Sequence, residues 1–308
     1  MDETRHPSRG HGYIEFEAIR NSVPESEKKG SNKYYKSEIV SLKHTYPFRF
    51  VVPENSTPGP CQWIYPLAFG GGLVGGDAVA STIKLGDGCA AVLSSQDSTK
   101  VYHCNNGWLT TQEYTYNLGE GSLLCVLQDP LVCYENADFY QKQTVQMTPS
   151  SSLVLLDWML SGRVALSESW SFKRFRNCIE IQVSDETIIR DYLELEDTPN
   201  KTIAQGMRGF QVYGTCIVLG DDVEFLADSL IKKYSRKQDI VFSCSGDKGS
   251  QDLVVSVSET SYRVHGKTIN GCYLRFLAAN MKSVAPVIRS ITSPLVPILG
   301  DDPFDRKL

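Results

Sequence analysis

Residues 109–119 read LTTQEYTYNLG. Tyr114, Tyr116 and Leu118 fall on one side of an extended chain, and Glu113, Thr115 and Asn117 on the other. That is the period-two pattern of a half-buried strand. The LGEG string at 118–121 closes the run with turn chemistry. The same grammar extends both ways. Upstream lie IEFEAIR (14–20), EIVSLKHT (38–45), PFRFVVP (47–53), AVASTIKLG (78–86) and CAAVLSS (89–95). Downstream lie SLLCVLQ (122–128), FYQKQTVQMT (139–148), SLVLLDWML (152–160), ESWSFKRF (168–175), CIEIQVS (178–184) and IIRDYLEL (188–195). Thr, Val, Ile, Tyr and Phe dominate these runs, as strands prefer. No helical pattern separates them, so they predict antiparallel sheets rather than strand–helix–strand units.

Helical periodicity enters late. DVEFLADSLIKKYSRK (222–237) sets Phe225, Leu226, Leu230 and Ile231 on one face and ends on basic residues, as the helix dipole favours. CYLRFLAANMKSVAPVIRSI (272–291) is the second expected helix, with Pro286 as a break or kink. Between them, DIVFSCSG (239–246) and DLVVSVSETSYRVHG (252–266) return to strand character. The expected fold class is mainly β: stacked antiparallel sheet layers with about two α-helices in the C-terminal third. Residues 1–12 read as a flexible polar tail, 13–308 as a single β-rich domain, and 21–33 as a mobile polar insertion. No internal repeat is visible.

The chain has 308 residues and a formal net charge of −5, with 41% hydrophobic and 22% charged residues. This is ordinary globular composition. The mild acidity argues against a nucleic-acid footprint and against a polybasic membrane-surface protein. No apolar run reaches the roughly 18–20 residues of a membrane span, and the first residues lack the apolar core of a signal peptide. Nine cysteines are scattered, mostly inside apolar runs, with no CxxC pair. They predict free buried thiols in a reducing, cytoplasmic compartment and no structural zinc.

Several strings could carry chemistry. GGGLVGGD (70–77) satisfies GxGxxG through Gly70, Gly72 and Gly75, but a dinucleotide loop needs a helix after it. The next residues are AVASTIKLG, strand-like in pattern, which favours a tight bend between strands. A Walker A loop is absent, because Asp77 stands where lysine would be. In DPLVCYENAD (129–138), Asp129, Glu135 and Asp138 surround Cys133, and carboxylates near a thiol can hold a divalent cation loosely. LDWMLSGR (156–163) sets Asp157 and Arg163 at the two ends of a strand and turn, where a buried carboxylate–guanidinium pair is expected. Two readings stand at this level: a β-rich binding module and an oxidoreductase using the Gly70–Asp77 loop.

GGGLVGGD, SSQDSTKVY (94–102), DPLVCYENADFYQKQ (129–143) and DWMLSGR (157–163), in that order, resemble the UreD (UreH) family of urease accessory proteins. The QKQ after the acidic segment and the DW before SGR look like its eukaryotic branch. IAQGMRGFQVYGTCIVLG (203–220) resembles the family's strand after the main sheets, and GCYLRFLAANMKSV (271–284) its C-terminal helix. The resemblance covers roughly residues 38–300. The family's Leu-Pro stands here as Leu127-Gln128, with the proline at Pro130, and the insertion at 21–33 has no counterpart. The resemblance implies a non-enzymatic nickel metallochaperone with no tightly bound cofactor. It would bind a UreF-like partner, through it the GTPase UreG, and apo-urease, and would pass transient nickel(II) along its own length. The implied motif residues are Gly71, Gly72, Gly75, Gly76, Lys100, Tyr102, Asp157, Gly162 and Arg163. Asp77, Asp129, Cys133, Glu135 and Asp138 are the candidates for facing nickel.

Overall fold

A computed structural model describes residues 8–19, 34–53, 60–104, 107–235, 252–305 and 307. The chain enters through β1 (Arg9–Ala18), β2 (Ser37–His44) and β3 (Phe48–Val51), then winds through four coils. The first coil is β4 (Gln62–Ala68), β5 (Gly72–Leu73) and β6 (Ala78–Leu85). The second is β7 (Ala90–Leu93), β8 (Thr99–Val101) and β9 (Thr110–Leu118). The third is β10 (Leu123–Leu127), β11 (Leu131–Cys133) and β12 (Asp138–Met147). The fourth is β13 (Ser152–Leu160), a short 3-10 turn and β14 (Arg174–Val183). Then come β15 (Glu186–Glu196), α1 (Ile203–Met207), β16 (Val212–Leu219), α2 (Glu224–Tyr234), β17 (Leu253–Val264), β18 (Lys267–Ala278), α3 (Met281–Thr292) and the single turn α4 (Val296–Leu299).

The first strand of each coil belongs to one sheet and the last to the sheet opposite, so consecutive long strands face each other across the core. Like strands of successive coils stack in parallel. Trp63 pairs with Val92, Val92 with Cys125, and Cys125 with Val154. Across the core, Val79 pairs with Gln112, Gln112 with Gln141, and Gln141 with Asn177. The short middle strands make a third side, where Gly72 pairs with Lys100, Lys100 with Val132, and Val132 with Leu160.

The chain is mainly β with stacked sheets, and α2 and α3 lie in the C-terminal third, as the sequence implies. Strand direction is the correction. Within the coils the neighbours are parallel, and among the described residues antiparallel strand pairing is confined to β1–β2, β3–β4, β14–β15 and the ladder β13–β16–β18–β17. A parallel neighbour needs a long crossover, usually a helix; here a strand of the opposite sheet serves instead. The coils are also an internal structural repeat, carried by backbone pairing and marked in sequence by the turns LGDG (85–88) and LGEG (118–121) that close the first two.

Other boundaries move for local reasons. Residues 272–278, expected as helix, are strand: Cys272, Leu274, Phe276 and Ala278 are buried while the residues between them are not, and that period is two. The helix begins at Met281, capped by Asn280, whose side-chain oxygen accepts from Ser283 N at 3.0 Å, and it carries Pro286 inside. Residues 168–173 are irregular before β14, and Ile203–Met207 is a short helix closed by a capping box between Thr202 and Gln205. β1 starts at Arg9, inside the expected tail. The insertion at 21–33 and the strand at 239–246 lie outside the described residues.

Two apolar layers result. One fills the space between the sheets, with Ile83, Leu93, Tyr116, Leu124, Val145, Leu155 and Ile181. The other lies between the outer face of the larger sheet and the C-terminal helices, with Val92, Val154, Cys216, Leu226, Leu230, Val287 and Ile288. The eight described cysteines are free, six of them buried. Among the described residues no helix is long and apolar enough to cross a membrane.

Coil stacking can be tested at Gly72. A Cβ there would meet the backbone oxygen of Lys100 at 2.4 Å, with no positive φ to confuse the result. Gly72→Ala is expected to lower stability by about 3 kcal/mol, the upper end of overpacking costs. Gly121→Ala, at φ +59 with open space around it, should lose only about 1 kcal/mol. Denaturant midpoints of the two variants give the comparison.

Candidate functional site

The glycine string is the turn joining β4 to β6 through β5. Gly70, Gly71 and Gly76 have φ of +86, +76 and +88, the left-handed region that side chains avoid. A Cβ on Gly75 would meet Cys104 Cβ at 2.8 Å. Asp77, 2% exposed, ties the turn together: its carboxylate accepts from Val74 N at 3.0 Å and from Ser8 N at 3.3 Å. A strand comes next, not a helix, so the dinucleotide-loop alternative is corrected.

The third side gathers the other motifs. Lys100 Nζ bonds Asp97 at 2.8 Å, and Tyr102 OH donates to Gly70 O at 3.3 Å. The Tyr102 ring meets Tyr134 edge-on at 5.2 Å, and Arg163 lies over the Tyr134 ring at 4.1 Å. Gly162, at φ +143, makes room beside Glu168 O. Arg163 pairs with Glu168, not with Asp157 as the sequence implied. The strings quoted from four parts of the sequence are thus neighbours on successive coils.

The five expected nickel-facing residues do not converge. Cys133 is 1% exposed within the apolar layer, and burial pushes its thiol up. Glu135 is exposed in the turn after β11. Burial alone would raise the Asp138 carboxyl, but Arg174 at 3.0 Å and Lys173 at 3.1 Å hold it below the usual range. Asp129 stands apart, at the edge of a cavity. Among the described residues, no three His, Cys, Asp or Glu side chains are grouped so as to hold a metal ion.

What the structure does bring together is a polar seam through the layer between the sheets. From one sheet come the stacked amides Gln112, Gln141 and Asn177, with Tyr114 and Gln143 beside them. From the other come Asp157, Thr215 and Arg275, which pair in register across β13, β16 and β18. Asp157 is the junction: Gln141 Nε2 donates to Oδ1 at 2.8 Å and Asn177 Nδ2 to Oδ2 at 2.5 Å. Further along, Asp191 of β15 accepts from Tyr273 OH at 2.7 Å and from Arg275 Nη2 at 2.5 Å.

Cavities line the seam. An inner one of about 30 Å³ is lined by Gln112, Gln141, Gln143, Asp129 and Asp157, roomy enough for water. A cleft of about 260 Å³ shares Thr99, Gln112 and Tyr114 with it. An open cleft of about 550 Å³ lies where β15 and β17 part, lined by Asp191, Tyr273 and Arg275. Burial pushes the Asp157 carboxyl up to about 6; the Gln141 and Asn177 hydrogen bonds pull it down, and the charge of Asp191 adds to the rise. Burial also pushes the Tyr114 and Tyr116 phenols up, which keeps them neutral.

The sequence carries a signal for this seam that motif spacing does not reveal. Gln112 shares its face of β9 with Tyr114 and Tyr116, Gln141 its face of β12 with Phe139 and Val145, and Asn177 its face of β14 with Ile179. A polar residue on the apolar parity of three stacked strands is the trace of a buried polar ladder.

Comparison with known proteins decides the family. The sequence pattern of the UreD urease accessory proteins matches residues 28–307. The chain belongs to the UreD urease accessory protein family. It is 29% identical over 284 residues to the urease accessory protein D of Arabidopsis thaliana, covering 87% of this chain and 95% of the relative. Against the urease accessory protein UreD of the bacterium Anaeromyxobacter the identity is 28% over 270 residues, with 88% and 84% covered. A ureD-like protein of Schizosaccharomyces pombe is 31% identical over 211 residues, with 65% and 72% covered.

Two measurements separate structural from functional residues in this UreD chain. Asp77→Ala removes the acceptor for two backbone N–H groups and should lower stability by about 1–2 kcal/mol. Asp157→Asn should do the reverse at pH 7. The Asp157 carboxyl is raised in the fold, so between pH 4 and 6 the folded state holds more protons, and stability falls as pH rises through that window. The folded protein therefore carries a penalty of up to about 3 kcal/mol above pH 6. The Asn variant should be about 1–3 kcal/mol more stable at pH 7 and lack the slope between pH 4 and 6, as read by denaturation at several pH values.

Proposed function

We propose that this protein acts in urease maturation as a non-enzymatic nickel metallochaperone. On this reading it stands in the cytoplasm between a UreF-like partner, which brings the GTPase UreG, and apo-urease. Nickel(II) is the cargo. The observation that carries the proposal is the polar seam, a run of buried oxygen donors and cavities inside what would otherwise be one continuous apolar layer. Membership of the UreD family supplies the urease context.

The chemistry of the seam suits a cargo that must move on. Carboxylate, amide and hydroxyl oxygens are hard donors that hold a first-row divalent ion loosely compared with imidazole or thiolate. Passage through a channel needs sites that bind well enough to admit an ion and weakly enough to release it. Asp157 is the carboxylate of the inner cavity held by two amide donors, and it supplies negative charge at the midpoint. The phenols of Tyr114 and Tyr116 stay neutral and add oxygen contacts without trapping charge. Asp129 at one end and Asp191 at the other are anionic stepping points.

The test is nickel counted in urease recovered after co-expression with the partner proteins and this chain. Wild type should load urease, and omission of the chain should leave it empty. Asp157→Asn should lower loading by about tenfold, the size of loss seen when an oriented metal-binding group is removed, with soluble protein unchanged or increased. Full loading by that variant would remove the seam from the route. Transfer by wild type should also weaken as pH falls below about 6, where Asp157 takes up its proton.

A further inference from the structure

The C-terminal segment meets the seam at Asp129. After α4 the chain turns at Gly300, and Trp63 Nε1 donates to Leu299 O at 3.0 Å. Phe304 then packs edge-on against Trp158 at 6.0 Å, and Trp158 Nε1 donates to Gln128 O at 2.8 Å. One further turn, with Lys307 N bonded to Phe304 O at 3.0 Å, carries the Lys307 ammonium back over the third side. It ends 2.6 Å from Asp129 Oδ2 and 2.7 Å from Ser95 O.

The receiving oxygens are a built pair. Ser95 Oγ donates to Asp129 Oδ2 at 2.9 Å, and Asp129 N donates to Ser95 Oγ at 2.6 Å, so neither side chain is free to swing away. The Asp129 side chain is 9% exposed, while that of Lys307 is 31% exposed. The pair sits between two spaces: Asp129 lines the inner cavity with Asp157, and Ser95 lines the cleft of about 260 Å³ with Asp97 and Lys100. A cation held there would be at the threshold between cleft and cavity. The chain places its own cation at that point, on a lysine whose side chain is held by a part-exposed ion pair and a backbone carbonyl.

We propose that Ser95 O and Asp129 form an entry site for a single cation, and that Lys307, carried beyond the Phe304 anchor, is a displaceable strap that fills the site until a divalent ion takes its place. The role of the site as an entrance rests on the conduit reading; its exchange of lysine for metal does not. A divalent ion brings twice the charge of an ammonium to the same oxygens, so it competes well for them once it is present. When Lys307 leaves, Phe304, 4% exposed in the apolar layer under the C-terminal helices, still anchors the segment against Trp158, and the Asp129 oxygen that the ammonium covered becomes accessible.

Cobalt(II) chloride serves as the probe, titrated into the purified full chain. Lys307→Gln is expected to bind it about tenfold more tightly than wild type, the equivalent of removing one modest competitor, and Lys307→Arg should bind like wild type. Adding Asp129→Asn to Lys307→Gln should abolish the gain. In wild type, saturating cobalt(II) should speed hydrogen exchange in the peptide covering residues 300–308, and in Asp129→Asn it should not. Equal affinity of wild type and Lys307→Gln, or exchange at the C-terminus indifferent to cobalt(II), would overturn the strap. The two proposals fail separately. If nickel loading of urease depends on Asp157 while cobalt(II) never displaces Lys307, the conduit stands and the strap falls. If cobalt(II) displaces Lys307 while Asp157→Asn loads urease fully, the strap stands as a cation site and the conduit falls.

Discussion

A strand that is to lie parallel to its predecessor must first send the chain back to where it began. The usual return is a helix, and a sheet built that way is covered by its own crossovers. In this protein the return path is a strand of a second sheet, so each coil builds both sheets at once. The space between the sheets is enclosed by strands alone, and its lining repeats with every coil. Stacked residues such as Gln112, Gln141 and Asn177 are therefore neighbours although each stands about one coil from the next in sequence. A continuous line of like side chains is the natural product of this winding, and the seam is such a line with amides in place of aliphatics. The third side depends on the same constraint: β5, β8 and β11 are two or three residues long, and they stack because the coils on either side are already in register.

Strand existence was legible because period two survives in any sheet. β9 repeats it in its burial, alternately buried and part-exposed from Thr110 to Leu118. Direction was not legible, since a half-buried strand has the same pattern whether its neighbour is parallel or antiparallel. The repeat was hidden for a related reason. What recurs is backbone pairing, while each coil fills the third side differently: glycine at 72, lysine at 100, valine at 132. The helix expected from residue 272 failed where local composition mimicked amphipathicity. CYLRFLA has its apolar residues spaced for either period, and pairing with both β16 and β17 decides for strand.

The site was legible by halves. The glycine string, Tyr102, Gly162 and Arg163 proved to be neighbours on one side of the coils, and Asp157 proved to be a part-buried carboxylate between the sheets. Its partner was misread because sequence proximity favoured Arg163, whereas the sheet places Gln141 and Asn177 against it. Cys133 looked like a soft ligand among acids, yet a strand residue three positions into an apolar run points wherever parity sends it, and here parity sends it into the core. Asp138 drew attention by charge, and its charge is already answered by Arg174 and Lys173. Neutral amides, which no charge count would select, supply one wall of the seam.

On the conduit reading proposed above, the seam's composition suits an ion in transit. A structural zinc cage of thiolates and imidazoles binds with about 10–16 kcal/mol, and an ion held that firmly would not leave on any useful timescale. A fully apolar channel errs the other way, since an ion stripped of water there has nothing to replace it. One carboxylate flanked by amides lies between these limits. Its own burial raises the energy of the charged form, which is why its proton affinity is shifted, and a passing cation lowers that energy while it stays. The destabilisation of the empty state is the desolvation of the carboxylate, and the attraction for a cation is a separate Coulomb interaction; the same low-dielectric surroundings enlarge both. On the proposed conduit reading, fold stability and transport meet at a single residue, which gives a physical reason for a part-buried acid that the packing of the two sheets does not need.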